Sequence, residues 1–262
     1  MEITRAYKTE LDPNNQQITP FVGSSGMARF VYNWALDYWI GEHKGGRKAH
    51  GLVQYGRGEG VKGNNEWEVV PAVVDALQAL IYKSFENVEP TNKKYYLAVD
   101  VSGSMSYNFI GGGNGLVSCA QASAIMAMTI MRTEPACVIK GFSDGLTPLK
   151  ITANSSIEEA FRNINLANFG GTDCSLPMLD ALEKSIYVDT FVVITDNETW
   201  AGSIHPEQAL KKYQSKVNKD AKLVVIGTTS TGFSIADPEC PEMLDVVGFD
   251  TATPSVIAEF SK

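Results

Sequence analysis

Residues 95–105 read YYLAVDVSGSM. The run up to Val101 has no polar alternation over its centre, as a strand buried on both faces requires, and the serine- and glycine-bearing turn after it ends the strand. ACVIKGF (136–142), TFVVITD (190–196) and AKLVVIG (221–227) have the same character. Helical patterns lie between these runs: LVSCAQASAIMAMTIMR, SLPMLDALEKS, PEQALKKYQSKV, and IEEAFRNI, which opens on Ser156 and closes a capping box with Glu159. Strands interleaved with helices predict an α/β fold with right-handed crossovers and a mostly parallel sheet covered by helices on both faces. LTPLKIT (146–152) follows Asp144 and Gly145 closely enough to fold back on ACVIKGF, so one antiparallel edge strand is expected. The methionines of AIMAMTIM are expected to fill the core. No internal repeat is present.

Upstream the character changes. In MARFVYNWALDYWI (27–40), Phe30, Val31, Trp34, Ala35, Tyr38 and Trp39 recur at three- and four-residue steps, which predicts a small helical N-terminal appendage. GEHKGGRKAHGLVQYGRGEGVKGNN (41–65) carries too many glycines for an element interior and reads as a linker. A helix follows from near Pro71, its apolar stripe formed by Val70, Val73, Val74, Leu77, Ile81 and Phe85, and it ends before Pro90. The expected division is an appendage over 1–50, a glycine-rich linker and helix over 51–91, and the α/β domain over 92–262.

The chain has 262 residues, 44% hydrophobic and 20% charged, an ordinary globular composition. Its net charge of -8 argues against a broad electropositive face for nucleic acid. Residues 1–60 hold seven basic and six acidic side chains, or +1, so residues 61–262 carry -9 and the acidity belongs to the C-terminal body. No apolar run approaches the ~20 residues of a bilayer span, and MEITRAYKTE lacks the layout of a signal peptide. The expectation is a cytoplasmic protein with no membrane partner. Cys119, Cys137, Cys174 and Cys240 are widely spaced without a CxxC pair and read as reduced structural thiols. His43, His50 and His205 are too few and too scattered for a histidine-rich metal site.

In a parallel sheet of this kind, ligands bind beyond the carboxyl ends of the central strands. The first strand runs into Asp100, Ser102 and Ser104, which alternate along an extended turn and put three oxygen-bearing side chains on one side. The third ends at Thr195, Asp196, Asn197, Glu198 and Thr199. FGGTDCS, between them, sets Thr172 behind two glycines that permit a close loop approach. Asp100, Ser102, Ser104, Thr172 and Asp196 thus offer two carboxylates and three hydroxyls. Such hard oxygen donors suit Mg²⁺ or Mn²⁺, a divalent ion relieves the repulsion of paired carboxylates, and few protein ligands leave a coordination position open. Asp173, Asn197 and Glu198 are candidates to orient the ligands, and Asp144 to cap its hairpin turn. GGGNG (111–115) lacks a Walker lysine, and GRGEGVKG has no preceding strand, so both glycine-rich stretches read as loops.

DVSGSM, the GGTD loop and TDNET resemble the metal-ion-dependent adhesion site of von Willebrand factor A domains over about residues 92–262. FENVEPTNKKYYLAVDVSGSM, GGTDCSLPM, TDNETWAGSIHPEQAL and STGFSIADPE resemble the A domain of the Ro ribonucleoprotein (TROVE-type) family, and YGRGEGVKGNNEWEV resembles the segment before it. The resemblance implies a Rossmann-like A domain whose metal is held by Asp100, Ser102, Ser104, Thr172 and Asp196. In that family a ring of helical repeats, closed by the A domain, binds the ends of misfolded RNAs and small Y RNAs. Nothing before residue 55 is long enough for the ring, so the expectation here is an A domain without it, with small non-coding RNA as a secondary partner class. ITRAYKTELDPNNQQ and ARFVYNWAL resemble the opening of TnpB-type (OrfB) transposon proteins over about residues 2–43, which implies a fused remnant. None of that family's catalytic residues carries over.

The leading expectation of function is a non-enzymatic, divalent-metal-binding interaction module of a Ro-like RNA-binding protein, its ion bridging to a carboxylate or other anionic oxygen of a protein or ribonucleoprotein partner. Two alternatives stand beside it. One is RNA binding by the N-terminal arm, where Arg29, Lys44, Arg47, Arg57 and Lys62 are interleaved with Tyr32, Trp34, Tyr38 and Trp39. The other is a metal-assisted nuclease or hydrolase, for which no general base or second acidic cluster is evident.

Overall fold

The structure, a computed structural model, describes residues 79, 81–85, 88–110, 117–165, 170–196, 201–229, 235–249 and 252–262. The chain divides into two units, Met1–Ile81 and Tyr82–Lys262. The N-terminal helical patch, the glycine-rich linker, the start of the helix near Pro71, the GGGNG loop, Asn197 and Glu198 lie outside the described residues.

The second unit is a six-stranded sheet ordered β3-β2-β1-β4-β5-β6, with β1 Lys94–Asp100, β2 Ala136–Phe142, β3 Leu146–Pro148, β4 Thr190–Thr195, β5 Lys222–Gly227 and β6 Met243–Val247. All neighbours are parallel except β2 and β3, the hairpin expected from Asp144 and Gly145. Its second arm stops at Pro148, which has no N–H for a longer ladder. The helices are α1 Ser104–Tyr107, α2 Cys119–Thr133, α3 Ile157–Ile164, α4 Leu176–Glu183, α5 Pro206–Gln214 and α6 Thr253–Ser261.

Side chains alternate across a strand, so an uninterrupted apolar run must find an apolar layer on each face. Leu97 and Val99 of β1, Val192 and Ile194 of β4, and Val224 and Ile226 of β5 join α2, α3 and α6 in one core. Tyr96 and Ala98, Phe191 and Val193, and Leu223 and Val225 join α4 and α5 in the other. Met126 and Met128 are buried in the first. β2 departs from the expectation of double burial, since its first five residues are only half-buried or exposed. It is flanked on one side by the three-residue β3, too short to shield it.

Local chemistry sets the helix starts. Ser118 and Gln121 form a reciprocal capping box at α2, as Ser156 and Glu159 do at α3. His205 Nδ1 accepts the Glu207 N–H at the start of α5, so this histidine is a cap. Three elements are not visible in the sequence: α1, which begins at Ser104 where an extended turn is expected, β6 and α6. β6 carries Asp245 at its centre, which breaks the apolar run, and α6 is a short C-terminal helix with only three buried residues.

Two polar clusters anchor the body. Glu134 accepts hydrogen bonds from Thr91 N (2.8 Å), Thr91 Oγ1 (2.8 Å) and Asn92 N (3.0 Å), fixing the entrance to β1. Arg132 of α2 lies over the Tyr82 ring at 4.3 Å and donates to Ser155 O in the segment before α3. On the opposite face the Asp180 carboxylate accepts from the Tyr96 hydroxyl (2.8 Å), Lys140 Nζ (2.6 Å) and Lys184 Nζ. Burial alone would raise its pKa, but the bonds from Lys140, Lys184 and Tyr96 outweigh burial and hold it below 3.8.

A carboxyl depressed on folding contributes stability that is present above its unfolded value and is lost as pH falls through its folded value. Asp180→Asn is therefore expected to lower stability at pH 7 by roughly 1–3 kcal/mol. Urea unfolding should show the gap to wild type closing as the pH is taken below 3.8.

Candidate metal centre

The chain leaves β1 toward α1 and α2, on one face, and leaves β4 toward α5, on the other. The connections part between adjacent strands, leaving a crevice beyond their carboxyl ends. The registers Leu97↔Val192 and Val99↔Ile194 bring the ends of β1 and β4 level. Asp100, wholly buried, therefore meets Thr195, whose hydroxyl donates to its Oδ2 at 2.7 Å. Its Oδ1 accepts the Ser102 N–H at 2.8 Å, an Asx turn that swings the chain out of the sheet. The Ser102 and Ser104 hydroxyls are 3.0 Å apart, Ser102 buried and Ser104 half-buried as the first residue of α1.

Asp196, only 1% exposed, follows β4 directly. Thr229 Oγ1 donates to its backbone carbonyl at 2.6 Å, and Asn108 Nδ2 donates to its Oδ2 at 2.9 Å. Its Oδ1 is buried and has no hydrogen-bond donor among the described residues. Burial pushes the Asp100 carboxyl up to about 6, the bonds from Ser102 and Thr195 pulling it down and the Asp196 charge adding to the rise.

Thr172 is buried in a loop tied at two points: Asp173 N donates to Ser143 O, just past β2, and Ala201 N donates to Thr172 O. The loop is thus held to the segments leaving β2 and β4, the strands flanking β1. Close packing demands its glycines. A Cβ on Gly171 would lie 2.9 Å from Ala201 Cβ, and one on Gly170 would lie 2.8 Å from Asp144 Cγ. Asp173 Oδ1 accepts from Ser175 N (2.9 Å) and Ser175 Oγ (2.6 Å), which closes the turn into α4. Asp144 accepts from Ser143 Oγ within its hairpin turn.

The donors at this edge are oxygens. Cys119 opens α2 near both carboxylates, and burial pushes its thiol up to about 11. Among the described residues no three His, Cys, Asp or Glu side chains cluster as a metal site. Two carboxylates, one with a bare buried oxygen, beside a hydroxyl pair fit a hard divalent cation better than a soft one. Sequence reasoning missed Asn108, Thr195 and Thr229. Asn108 and Asp196 are 88 residues apart and only the fold joins them.

The family model for the Ro60 vWA domain matches residues 94–261. The chain belongs to the Ro60 vWA domain family. A Helix-turn-helix domain model, of the OrfB type, matches residues 1–48. The RNA-binding protein RO60 of Deinococcus radiodurans is 47% identical to this Ro60-family chain over 208 residues, 79% of this chain and 39% of that protein. The RNA-binding protein RO60 of Caenorhabditis elegans is 41% identical over 207 residues, 79% of this chain and 32% of that protein. The crystal structure of the Deinococcus radiodurans RO (RSR) protein superposes with a TM-score of 0.68, covering 78% of this chain and 41% of that one. The Ro60-family chain therefore spans less than half the length of these relatives. No helix among the described residues is long and apolar enough to cross a membrane.

Gly202, in the segment before α5, packs closely on Asp173 of the Thr172 loop. Its φ is +99°, and an added Cβ would lie 2.5 Å from Asp173 Oδ1. Gly202→Ala is expected to cost roughly 1–3 kcal/mol, readable as a lowered midpoint in thermal unfolding.

Proposed function

We propose that this chain is a non-enzymatic interaction module that binds Mg²⁺ or Mn²⁺ through Asp100, Ser102, Ser104, Thr172 and Asp196 and presents the ion to a carboxylate or other anionic oxygen of a protein or ribonucleoprotein partner. The observation that carries this reading is the Asp196 Oδ1 atom, buried at the carboxyl edge of the sheet without a donor among the described residues. A buried anionic oxygen without a partner is costly, and a neighbouring carboxylate adds to the cost. A divalent cation offsets both. When bound, it supplies a fixed positive charge with a free coordination position at an otherwise acidic edge.

The chain's own residues set the site up. Asp100 folds the DVSGSM turn by accepting the Ser102 N–H, and Thr195 holds its other oxygen. The Ser102 and Ser104 hydroxyls face one another across that turn. Asp196 supplies the bare oxygen. Cytoplasmic residence is part of the proposal, supported by four free thiols. The relatives are RNA-binding proteins, and the module's place is in the assembly of an RNA-handling particle.

A second reading concerns residues 1–48, where the helix-turn-helix match takes in Arg29, Lys44 and Arg47 and the aromatic side chains of the arm, with Arg57 and Lys62 beyond it. Such a segment suits contact with phosphates and bases, and small non-coding RNA is the partner class.

Calorimetric titration with Mg²⁺ and Mn²⁺ tests the main reading. Wild type is expected to bind one ion, with affinity falling at least about tenfold in Asp196→Ala and in Asp100→Ala. Heats that are the same in all three proteins would remove the site. For the arm, RNA retention by the full chain is expected to exceed that of a chain lacking residues 1–50, and equal retention would exclude it.

A further inference from the structure

Asp196 has two carboxylate oxygens in different circumstances. Oδ2 accepts a hydrogen bond from Asn108 Nδ2 at 2.9 Å, while Oδ1 is buried and without a donor. A carboxylate free to turn about its Cβ–Cγ bond would exchange the two. Asn108 breaks that equivalence.

The asparagine is itself tightly placed. It is the residue after α1, in extended conformation with φ -83° and ψ 143°. Its backbone N–H donates to Ser104 O at 2.8 Å, and its carbonyl accepts the N–H of Cys119, the first residue of α2, at 2.9 Å. Ile110 N donates to Val117 O just beyond, so the backbone on this side is laddered as well. The amide is thus aimed from a backbone fixed on both sides. The same short segment carries Ser104, whose hydroxyl belongs to the candidate donor set.

We infer that Asn108 is the positioning residue of the metal centre: its amide fixes the Asp196 carboxylate in the orientation that leaves Oδ1 free for the ion and couples that oxygen to the α1 turn bearing Ser104. This rests on the metal-binding reading above and assigns a role to a residue outside the five-oxygen set. Without the bond, Asp196 loses its preset orientation, and ordering it falls to the ion. Outer partners of ligating carboxylates act in this way, and their removal costs on the order of 10- to 100-fold in metal affinity.

The test uses the full chain and Mn²⁺ alone, by calorimetry and by electron paramagnetic resonance of the bound ion. Asn108→Ala is expected to bind Mn²⁺ about 10- to 100-fold more weakly than wild type. At saturating Mn²⁺ its spectrum should differ from wild type, because the carboxylate is then free to offer either or both oxygens. The exposed neighbour Tyr107 is the control, and Tyr107→Ala should keep both affinity and spectrum. Asn108→Ser, too short to reach Asp196, gives the same two readings should alanine disturb folding. Binding within twofold of wild type, or tighter, overturns the inference. So does weaker binding with an unchanged spectrum, since a general loosening of the scaffold lowers affinity without altering how Asp196 meets the ion. Failure of wild type itself to bind Mn²⁺ would instead sink the metal-binding reading, a result distinguishable from either of these.

Discussion

Parallel pairing of β1 with β4 forces two carboxylates, Asp100 and Asp196, into the same buried edge. The ladder advances one residue per partner, so the Val99↔Ile194 pair leaves Asp100 beside Thr195 and Asp196 one step beyond. Asp100 cannot retreat to water without breaking a strand buried on both faces, and Asp196 is held directly behind another. The surrounding hydrogen bonds follow from that confinement. Ser102 N and Thr195 Oγ1 satisfy Asp100, Asn108 and Thr229 hold Asp196 in place, and one carboxylate oxygen is left over.

A buried, bare, anionic oxygen next to a second acid works against folding, and the sheet must tolerate it. The two apolar layers supply the surplus, with the central strands contributing nearly every residue to one core or the other. Each fully buried Leu, Ile, Val or Phe contributes on the order of 1.5–3 kcal/mol relative to exposure. The site is therefore held by strands whose own stability does not depend on it. The loops are held differently. Gly170 and Gly171 let the Thr172 loop lie against Asp144 and Ala201, and Gly202 lies against Asp173 of that loop, with no room for a side chain at any of the three; the backbone bonds from Asp173 and Ala201 lock it there.

Acidity and function are consistent in this arrangement. The α/β body carries the excess negative charge, which disfavours direct contact with a phosphate backbone at the carboxyl edge. A cation in the crevice would reverse the sign locally and give an anionic partner group a place to dock. The Asp100 and Asp196 carboxylates and the Ser102 and Ser104 hydroxyls gather oxygen chemistry at that edge.

Apolar periodicity and capping chemistry determined much of the fold before any coordinates. Four of the strands, the hairpin at Asp144 and Gly145, and the capping box of α3 depend on interactions within a few residues or on strands buried on both faces, and both leave marks in linear order. β6 and α6 left weak marks, because an edge strand interrupted by Asp245 and a terminal helix that buries only Thr253, Ile257 and Ser261 need less apolar surface. Asp100, Ser102, Ser104, Thr172 and Asp196 were legible as oxygen donors at strand ends and in a glycine turn. Which oxygen of Asp196 is bare, and that Asn108, Thr195 and Thr229 arrange the two acids, was decided by tertiary structure alone. Those bonds join residues tens of positions apart, and only the strand register and the path of the chain over the sheet edge bring them within reach.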